Sequence, residues 1–235
     1  MDETVINDAK SLAEINKLVA KCERCSLFKT KTKDVPGVGN PKAKVMFIGE
    51  GPGKDEDLQG EPFVGAAGKF LTEMIGSLGW KRSDVYIANV LKHRPPNNRD
   101  PLPEEAEACW PFLKRQIELI QPKLIVFLGR HSMNRFFPTL QISKVHGQAF
   151  HKDFLNKKQV FLALYHPAAA LYNGSMKQIL QNDFQKIPKI LELIDKNQLE
   201  NNLDENNKET KHHLPATKSN QAIAEQTKPK QEKLF

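Results

Sequence analysis

Three cysteines, Cys22, Cys25 and Cys109, are the whole thiol complement of this 235-residue chain. Cys22 and Cys25 have the C-x-x-C spacing that lets two thiolates meet one ion or cluster. Cys109 stands far along the chain, at the start of a helical stretch. A cysteine-type site needs a fourth donor, and His93, in the loop before Cys109, is the candidate. Zinc takes three cysteines and a histidine. An iron–sulfur cluster also accepts imidazole in place of a thiolate. Spacing alone leaves both open, beside the plainer reading of structural cysteines.

A second group of residues surrounds a glycine-rich loop: Gly49-Glu50-Gly51-Pro52-Gly53, then Asp55-Glu56-Asp57, then Gly60-Glu-Pro-Phe63-Val-Gly65. Glycines after a strand often cradle phosphate. This loop has neither the lysine-serine ending of a P-loop nor the spacing of a dinucleotide fingerprint, and its three acids repel phosphate. A carboxylate beside glycines, with Phe63 as a flat apolar surface, suits a planar uncharged heterocycle instead. Asn89 and His166-Pro167 complete the set of residues whose types could serve such a ligand.

These residues need elements to carry them. Short apolar runs, Val45-Met-Phe-Ile48, Val85-Tyr-Ile-Ala88, Leu124-Ile-Val-Phe-Leu128 and Val160-Phe-Leu-Ala-Leu-Tyr165, read as buried strands. Residues 9–20, 66–78, 104–120 and 175–194, and a short stretch after Gly129, have helical spacing. Four prolines between 94 and 103 mark a loop. Strands alternating with helices predict an α/β fold with a mostly parallel sheet, whose ligands sit beyond the carboxyl ends of the strands. Three of those ends deliver Gly49-Glu50, Asn89 and His166.

The chain carries 35 Lys and Arg against 28 Asp and Glu, a net charge of +7, which suits a polyanionic partner. No run of about 18 apolar residues predicts a membrane span. Residues 1–20 lack the apolar core of a signal peptide, and three cysteines are an odd number. A disulfide framework is therefore not expected, and reduced thiols inside a cell, in the cytoplasm and near the nucleoid, are. From about Asn197 the composition turns to Asn, Lys, Gln and Glu, so residues 1–196 are expected to form one domain and 197–235 a disordered tail.

The run Gly49 to Gly53, the Glu56-Asp57 pair and Gly60 to Gly65 resemble the first motif of family 4 iron–sulfur uracil-DNA glycosylases. Asn89-Val-Leu-Lys-His-Arg-Pro-Pro96 with Asn98-Arg-Asp-Pro101 is similar to the second, and His166-Pro167 to the third. The resemblance implies a three-layer α/β/α sandwich and a [4Fe–4S] cluster, with Cys22, Cys25 and Cys109 at ligand positions. The family's remaining cysteine falls at His93, where a cross-linking branch of the superfamily also has histidine. That branch's basic insert with a nucleophilic histidine is absent from Arg94-Pro-Pro-Asn-Asn-Arg99, so ordinary turnover is expected. Ligation by His93 and an iron left open are both compatible with the sequence.

What the resemblance implies for chemistry follows from the groups. A base to be excised is flipped out of the stack. Phe63 would stack on it, and the Asn89 amide would offer a donor to uracil O4 and an acceptor to N3–H. His166 would donate to O2 as charge develops there. Glu50 would stabilise the cation-like sugar and orient water, Glu56 would assist or shape the pocket, and Gly51 would let the backbone approach the base. Lys92, Arg94 and Arg99 are candidates to grip phosphates, and Ala168 to Tyr172 to push into the vacated stack. Gln231-Glu-Lys-Leu-Phe235 resembles the Gln-x-x-Leu-Phe peptide of bacterial sliding-clamp partners, with Gln231, Leu234 and Phe235 as its contacts. The expected partners are thus uracil-containing DNA, single- or double-stranded, and a sliding clamp, the protein itself being a monomer. The competing reading is a non-catalytic iron–sulfur DNA-binding protein or damage sensor.

Overall fold

The computed structural model describes residues 1–196; the expected tail and its clamp-like peptide lie outside the described residues. Six strands, β1 (Val38–Gly39), β2 (Val45–Gly49), β3 (Tyr86–Asn89), β4 (Leu124–Leu128), β5 (Ala149–Phe154) and β6 (Lys157–Leu164), form one sheet in the order β1-β3-β2-β4-β6-β5. The inner four are parallel, and β1 and β5 flank them antiparallel. Helices α1 (Glu3–Asn7), α2 (Leu12–Ala20), α3 (Lys54–Gln59), α4 (Ala66–Ser77), α5 (Pro103–Ile120), α6 (Arg130–Phe136), α7 (Ile142–Val145), α8 (Pro167–Ala170) and α9 (Gly174–Phe184) connect and cover it.

The inner strands are apolar throughout because both faces are covered. Val45, Phe47, Val126, Leu128 and Leu162 face α4 and α9. Met46, Ile48, Ile125, Phe127 and Phe161, one residue out of step, face α5 and α6. Alternate side chains of a strand point to opposite faces, so one run of apolar residues supplies two cores and fixes three layers. The expected α/β/α sandwich with a mostly parallel sheet is the observed one. A third cluster, Ile6, Ile15, Val19, Cys22 and Phe112, packs α1 and α2 onto the outside of α5.

The observed boundaries have local causes. Helix α2 starts at Leu12 rather than residue 9 because Ser11 caps it, Oγ accepting from Glu14 N at 3.2 Å, while Glu14 accepts from Lys10 N at 2.7 Å. The last helical stretch is two pieces, α9 and residues 187–196, with a turn between. Strand β5 and helix α3 have no counterpart in the sequence reading. β5 pairs with β6 across a two-residue turn in which Leu155 and Asn156 both have positive φ (52° and 61°), as a tight hairpin requires. Among the described residues no helix is long and apolar enough to cross a membrane.

Candidate active site

Because the inner strands are parallel, their carboxyl ends open on one side, and a cleft of about 390 Å³ lies there. Glu50, Gly51 and Gly53 line it from the end of β2, Asn89 from β3 and His166 from beyond β6. Glu56 and Phe63 line it from the glycine-rich segment, and Pro95 and residues 98–100 from the proline loop. All the residues expected to surround one base are thus in one cavity. The loop 50–65 is ordered around a single carboxylate. Glu56 Oε1 accepts from Val64 N (2.9 Å) and Gly65 N (3.0 Å), and Oε2 from Gly53 N (3.1 Å). Two oxygens serving three amides make Glu56 the fastener of the loop as well as part of its wall.

Phe63 is buried, yet one side of it forms the cleft wall, with its ring centroid 5.6 Å from that of His166 at a tilt of 31°. Its φ of 56° is unusual for a bulky residue and is held from several sides. The Arg82 guanidinium donates to the Pro62 carbonyl, and the Phe63 main chain lies against Gly68 of α4 so closely that a Cβ there would fall 1.8 Å from the Phe63 oxygen. At Gly49 a Cβ would fall 2.4 Å from Asn89 Oδ1 and 2.6 Å from Phe63 Cζ. That glycine lets ring and amide come together over the strand ends. Gly51 differs: a Cβ there would meet Leu91 at an ordinary 3.4 Å, so the protein itself does not demand glycine.

Asn89 is buried, and its Oδ1 has no hydrogen-bond partner among the described residues. An unpaired buried acceptor is costly and rare; this one borders the cleft. His166 is the N-cap of α8, with Pro167 at the first helical position and Ala168 N donating to Nδ1 at 3.2 Å. Burial lowers its pKa to about 4. The ring is therefore neutral at pH 7, and with Nδ1 accepting, the proton sits on Nε2. Gly129, at φ +99°, leaves 3.0 Å between its would-be Cβ and His166 Cβ, which is the room the imidazole needs.

Glu50 is half-buried. Loss of solvent raises its pKa, Asp100 adds to the rise, and His131 and Arg130 oppose it. His131 Nε2 lies 3.7 Å from Glu50 Oε2 and 3.3 Å from Asp100 Oδ2, and Arg130 donates to Asp100 Oδ2 at 2.6 Å. Sequence reading missed these neighbours of Glu50. Asp100 and His131 are far apart in the chain, and only the topology that sets β4 beside β2 brings α6 to the cleft mouth.

The cleft thus gathers a carboxylate, an amide, an imidazole and an aromatic face, and comparison with known proteins shows the family. The uracil DNA glycosylase superfamily model matches residues 36–192. The chain belongs to this superfamily, in its type-4 branch. It is 52% identical over 183 residues to the type-4 uracil-DNA glycosylase of Archaeoglobus fulgidus, covering 76% of this chain and 92% of that one. It is 50% identical over 183 residues to the type-4 enzyme of Sulfurisphaera tokodaii, covering 75% and 83%. With that of Thermotoga maritima the identity is 44% over 176 residues, covering 73% and 90%.

In this glycosylase fold Cys22 and Cys25 follow α2, and Cys109 lies on α5. Cys22 and Cys109 are buried and Cys25 partly so. Cys109 donates to Cys25, which pulls the Cys25 thiol down to about 7 and keeps Cys109 protonated. His93 is buried nearby, its Nε2 3.2 Å from Lys31 Nζ. Burial, then Lys31, lower its pKa to about 4, so the ring is neutral at pH 7. Among the described residues only Glu50, Asp100 and His131 bring three ligand atoms within 4.8 Å of one another.

One expectation about DNA contact is corrected. Lys92 is buried and donates to Asn89 O and Gln116 Oε1, both at 2.8 Å, so it does not reach phosphate. Arg99 is committed to a two-pronged pair with buried Glu105, at 2.8 and 2.5 Å. Arg94 bonds Asn98 Oδ1 at 2.7 Å on the surface. Leu171 and Tyr172, in the segment after α8, are exposed, Tyr172 almost fully.

Proposed function

We propose that this chain hydrolyses the N-glycosidic bond of uracil in DNA, the first step of base excision repair. The observation that carries this reading is that Glu50, Phe63, Asn89 and His166 line one cleft, with the buried Asn89 Oδ1 lacking a partner that a flipped base would supply. The Asn89 amide accepts from uracil N3–H through Oδ1 and donates to O4 through Nδ2; cytosine presents the opposite polarity at both atoms. Phe63 stacks on the ring. As N1–C1′ breaks, the bonding electrons pass to the uracil ring, and the neutral His166 donates its Nε2–H to O2, where charge collects. The Glu50 carboxylate stabilises the cationic sugar and takes a proton from the water that adds to C1′. Glu56 holds the loop that carries Glu50 and Phe63, acting through the backbone rather than on the base.

We assign Cys22, Cys25 and Cys109, with His93 as fourth donor, to a [4Fe–4S] cluster. The three thiols, two of them buried, and the neutral imidazole support this. Bound there, the cluster supplies ligation that ties the segment after α2 to α5, since base hydrolysis moves no net electrons. Outside the described residues, the peptide with Gln231, Leu234 and Phe235 docks on a sliding clamp. The protein acts as a monomer in the cytoplasm, at the nucleoid.

The test is direct. Iron-loaded protein incubated with a uracil-containing oligonucleotide, single-stranded or paired, should give a shortened strand after alkali, and Asn89→Ala should not. An intact strand from the iron-loaded parent protein, across pH and salt, overturns the reading.

A further inference from the structure

Between the cleft and the cysteines lies Lys92, a lysine whose side chain has no access to water. Its Nζ is 2.8 Å from the carbonyl oxygen of Asn89 and 2.8 Å from Gln116 Oε1 on α5. Gln116, also wholly buried, is fixed in turn by Nε2, which donates to Pro36 O at 2.7 Å and to Tyr86 Oη at 3.3 Å. Its chain neighbour Leu91 is packed in one buried cluster with Cys109 and Leu27. The Lys92 side chain therefore touches the base-reading asparagine, while the residue before it packs beside the cysteine site.

The stability of the fold does not account for this arrangement. Burying a lysine amine costs more than packing an apolar chain of the same size, and buried ionisable groups replaced by such chains often leave proteins as stable or more so. Position does account for it. Asn89 Oδ1 has no partner among the described residues, so the direction of its amide follows from the peptide that bears it. That peptide is held on one side by the β2 ladder, with Val90 N donating to Gly49 O at 3.0 Å. On the other side it is held through its carbonyl by Lys92.

We propose that Lys92 is a positioning residue for Asn89: with Gln116 it forms a buried strut that aims the base-reading amide into the cleft and joins it to the helix bearing Cys109. The inference rests on the reading of Asn89 above. It adds that the strut acts on the chemical step and on recognition of the free base, not on the grip of DNA.

The experiment uses full-length, iron-loaded protein with Lys92→Met, which keeps an unbranched apolar chain one atom shorter and removes the Nζ donor, and Gln116→Leu, which removes the other end of the strut. Iron per chain and the fold by circular dichroism are measured first. Turnover of a single-stranded uracil oligonucleotide, inhibition by free uracil and the side-chain amide signal of Asn89 by nuclear magnetic resonance follow. The expected result is parental iron content and a kcat lower by about 10- to 100-fold, with KM for DNA within about threefold. Free uracil should inhibit less strongly, and the Asn89 amide signal should move. If Lys92→Met does not fold, Gln116→Leu must show the same pattern. Parental kcat and uracil inhibition in the folded variants overturn the inference. So does a loss of activity that only tracks lost iron while the Asn89 signal stays in place. Asn89→Ala is run alongside: if it still turns over, the reading of Asn89 fails and the strut with it, whereas an inactive Asn89→Ala beside a fully active Lys92→Met removes the strut alone.

Discussion

The rings of Phe63 and His166 meet over the ends of β2 and β6, centroids 5.6 Å apart, one from a loop with left-handed backbone and the other from the cap of α8. Together they make a corner: a face on which a base can lie and, at its edge, an N–H that meets the base's oxygen. Replacing Phe63 by alanine removes the face and leaves the edge. Base stacking on an aromatic ring is worth about 1–3 kcal/mol, so Phe63→Ala should lower kcat/KM for uracil DNA by roughly 5- to 150-fold. Steady-state kinetics on a single-stranded oligonucleotide measure this, and a fall of less than about twofold would remove Phe63 from base contact.

Gly68 gives a second prediction because steric and helical preferences oppose each other. Within an α-helix, Gly→Ala usually stabilises by about 0.5–1 kcal/mol. In α4 the new methyl would lie 1.8 Å from the Phe63 carbonyl oxygen, with no flexible side chain to yield. Gly68→Ala should therefore melt at a lower temperature than the parent and lose activity as Phe63 is displaced. Gly76 of the same helix, with nothing near its would-be Cβ, is the control that should gain stability.

His166 should behave as a neutral donor. Burial lowers its pKa to about 4, so the folded ring takes up a proton only well below the ordinary value of about 6.5. Its ring signals should stay those of the Nε2–H form from pH 8 down to about pH 5, whereas an exposed histidine would titrate across that range. Removing one donor aimed at developing charge costs about 10²- to 10³-fold in kcat. His166→Ala is expected to fall by that amount with little change in KM. A ring that titrates near 6.5 would mean the imidazole is solvated and not so aimed.

Glu56→Gln separates holding a loop from doing chemistry. The amide keeps one acceptor and turns an NH₂ toward at least one of the three backbone N–H groups of Gly53, Val64 and Gly65. Losing a charge-assisted hydrogen bond costs about 1.5–3 kcal/mol, or roughly 3–12 °C in Tm for a domain of this size. A melting curve should show that drop, with kcat falling through the loosened loop and a pH profile of unchanged shape. A changed shape would instead put Glu56 in the proton chemistry.

Much of this was readable from sequence, for a physical reason. Strands buried on both faces are short unbroken apolar runs, and in a parallel sheet the residue that follows such a run lies at the ligand side; Glu50, Asn89 and His166 each follow or end one. β5 was not readable, because its alternating Ala-Phe-His-Lys-Asp-Phe sits at the sheet edge and turns through Leu155-Asn156 with no glycine to announce it. Helix α3 was hidden in a segment whose glycines read as loop. Lys92 was misjudged because a lysine in a proline-rich loop looks like a surface cation, and nothing local in the sequence says that Gln116 on α5 will cover it. The contribution of Gly129 is a contact with His166, far along the chain, which no local pattern encodes.

The acid side of the pH–rate profile offers the sharpest check on Glu50, since its neighbours pull in opposite directions. Glu50 acts as a carboxylate, and desolvation raises its pKa above the ordinary value of about 4.3. A raised pKa means the proton returns at a higher pH, so activity should fall as pH drops through a value above the usual glutamate range. Asp100 contributes to the rise, and His131 and Arg130 oppose it. Asp100→Asn should therefore move the acid limb to lower pH, and His131→Gln should move it to higher pH. Glu50→Gln should abolish the limb and lower kcat by about 10²- to 10⁴-fold, the range for a lost general base. Shifts of the same sign in the two neighbours' variants, or a limb that survives Glu50→Gln, would mean that another group carries the water.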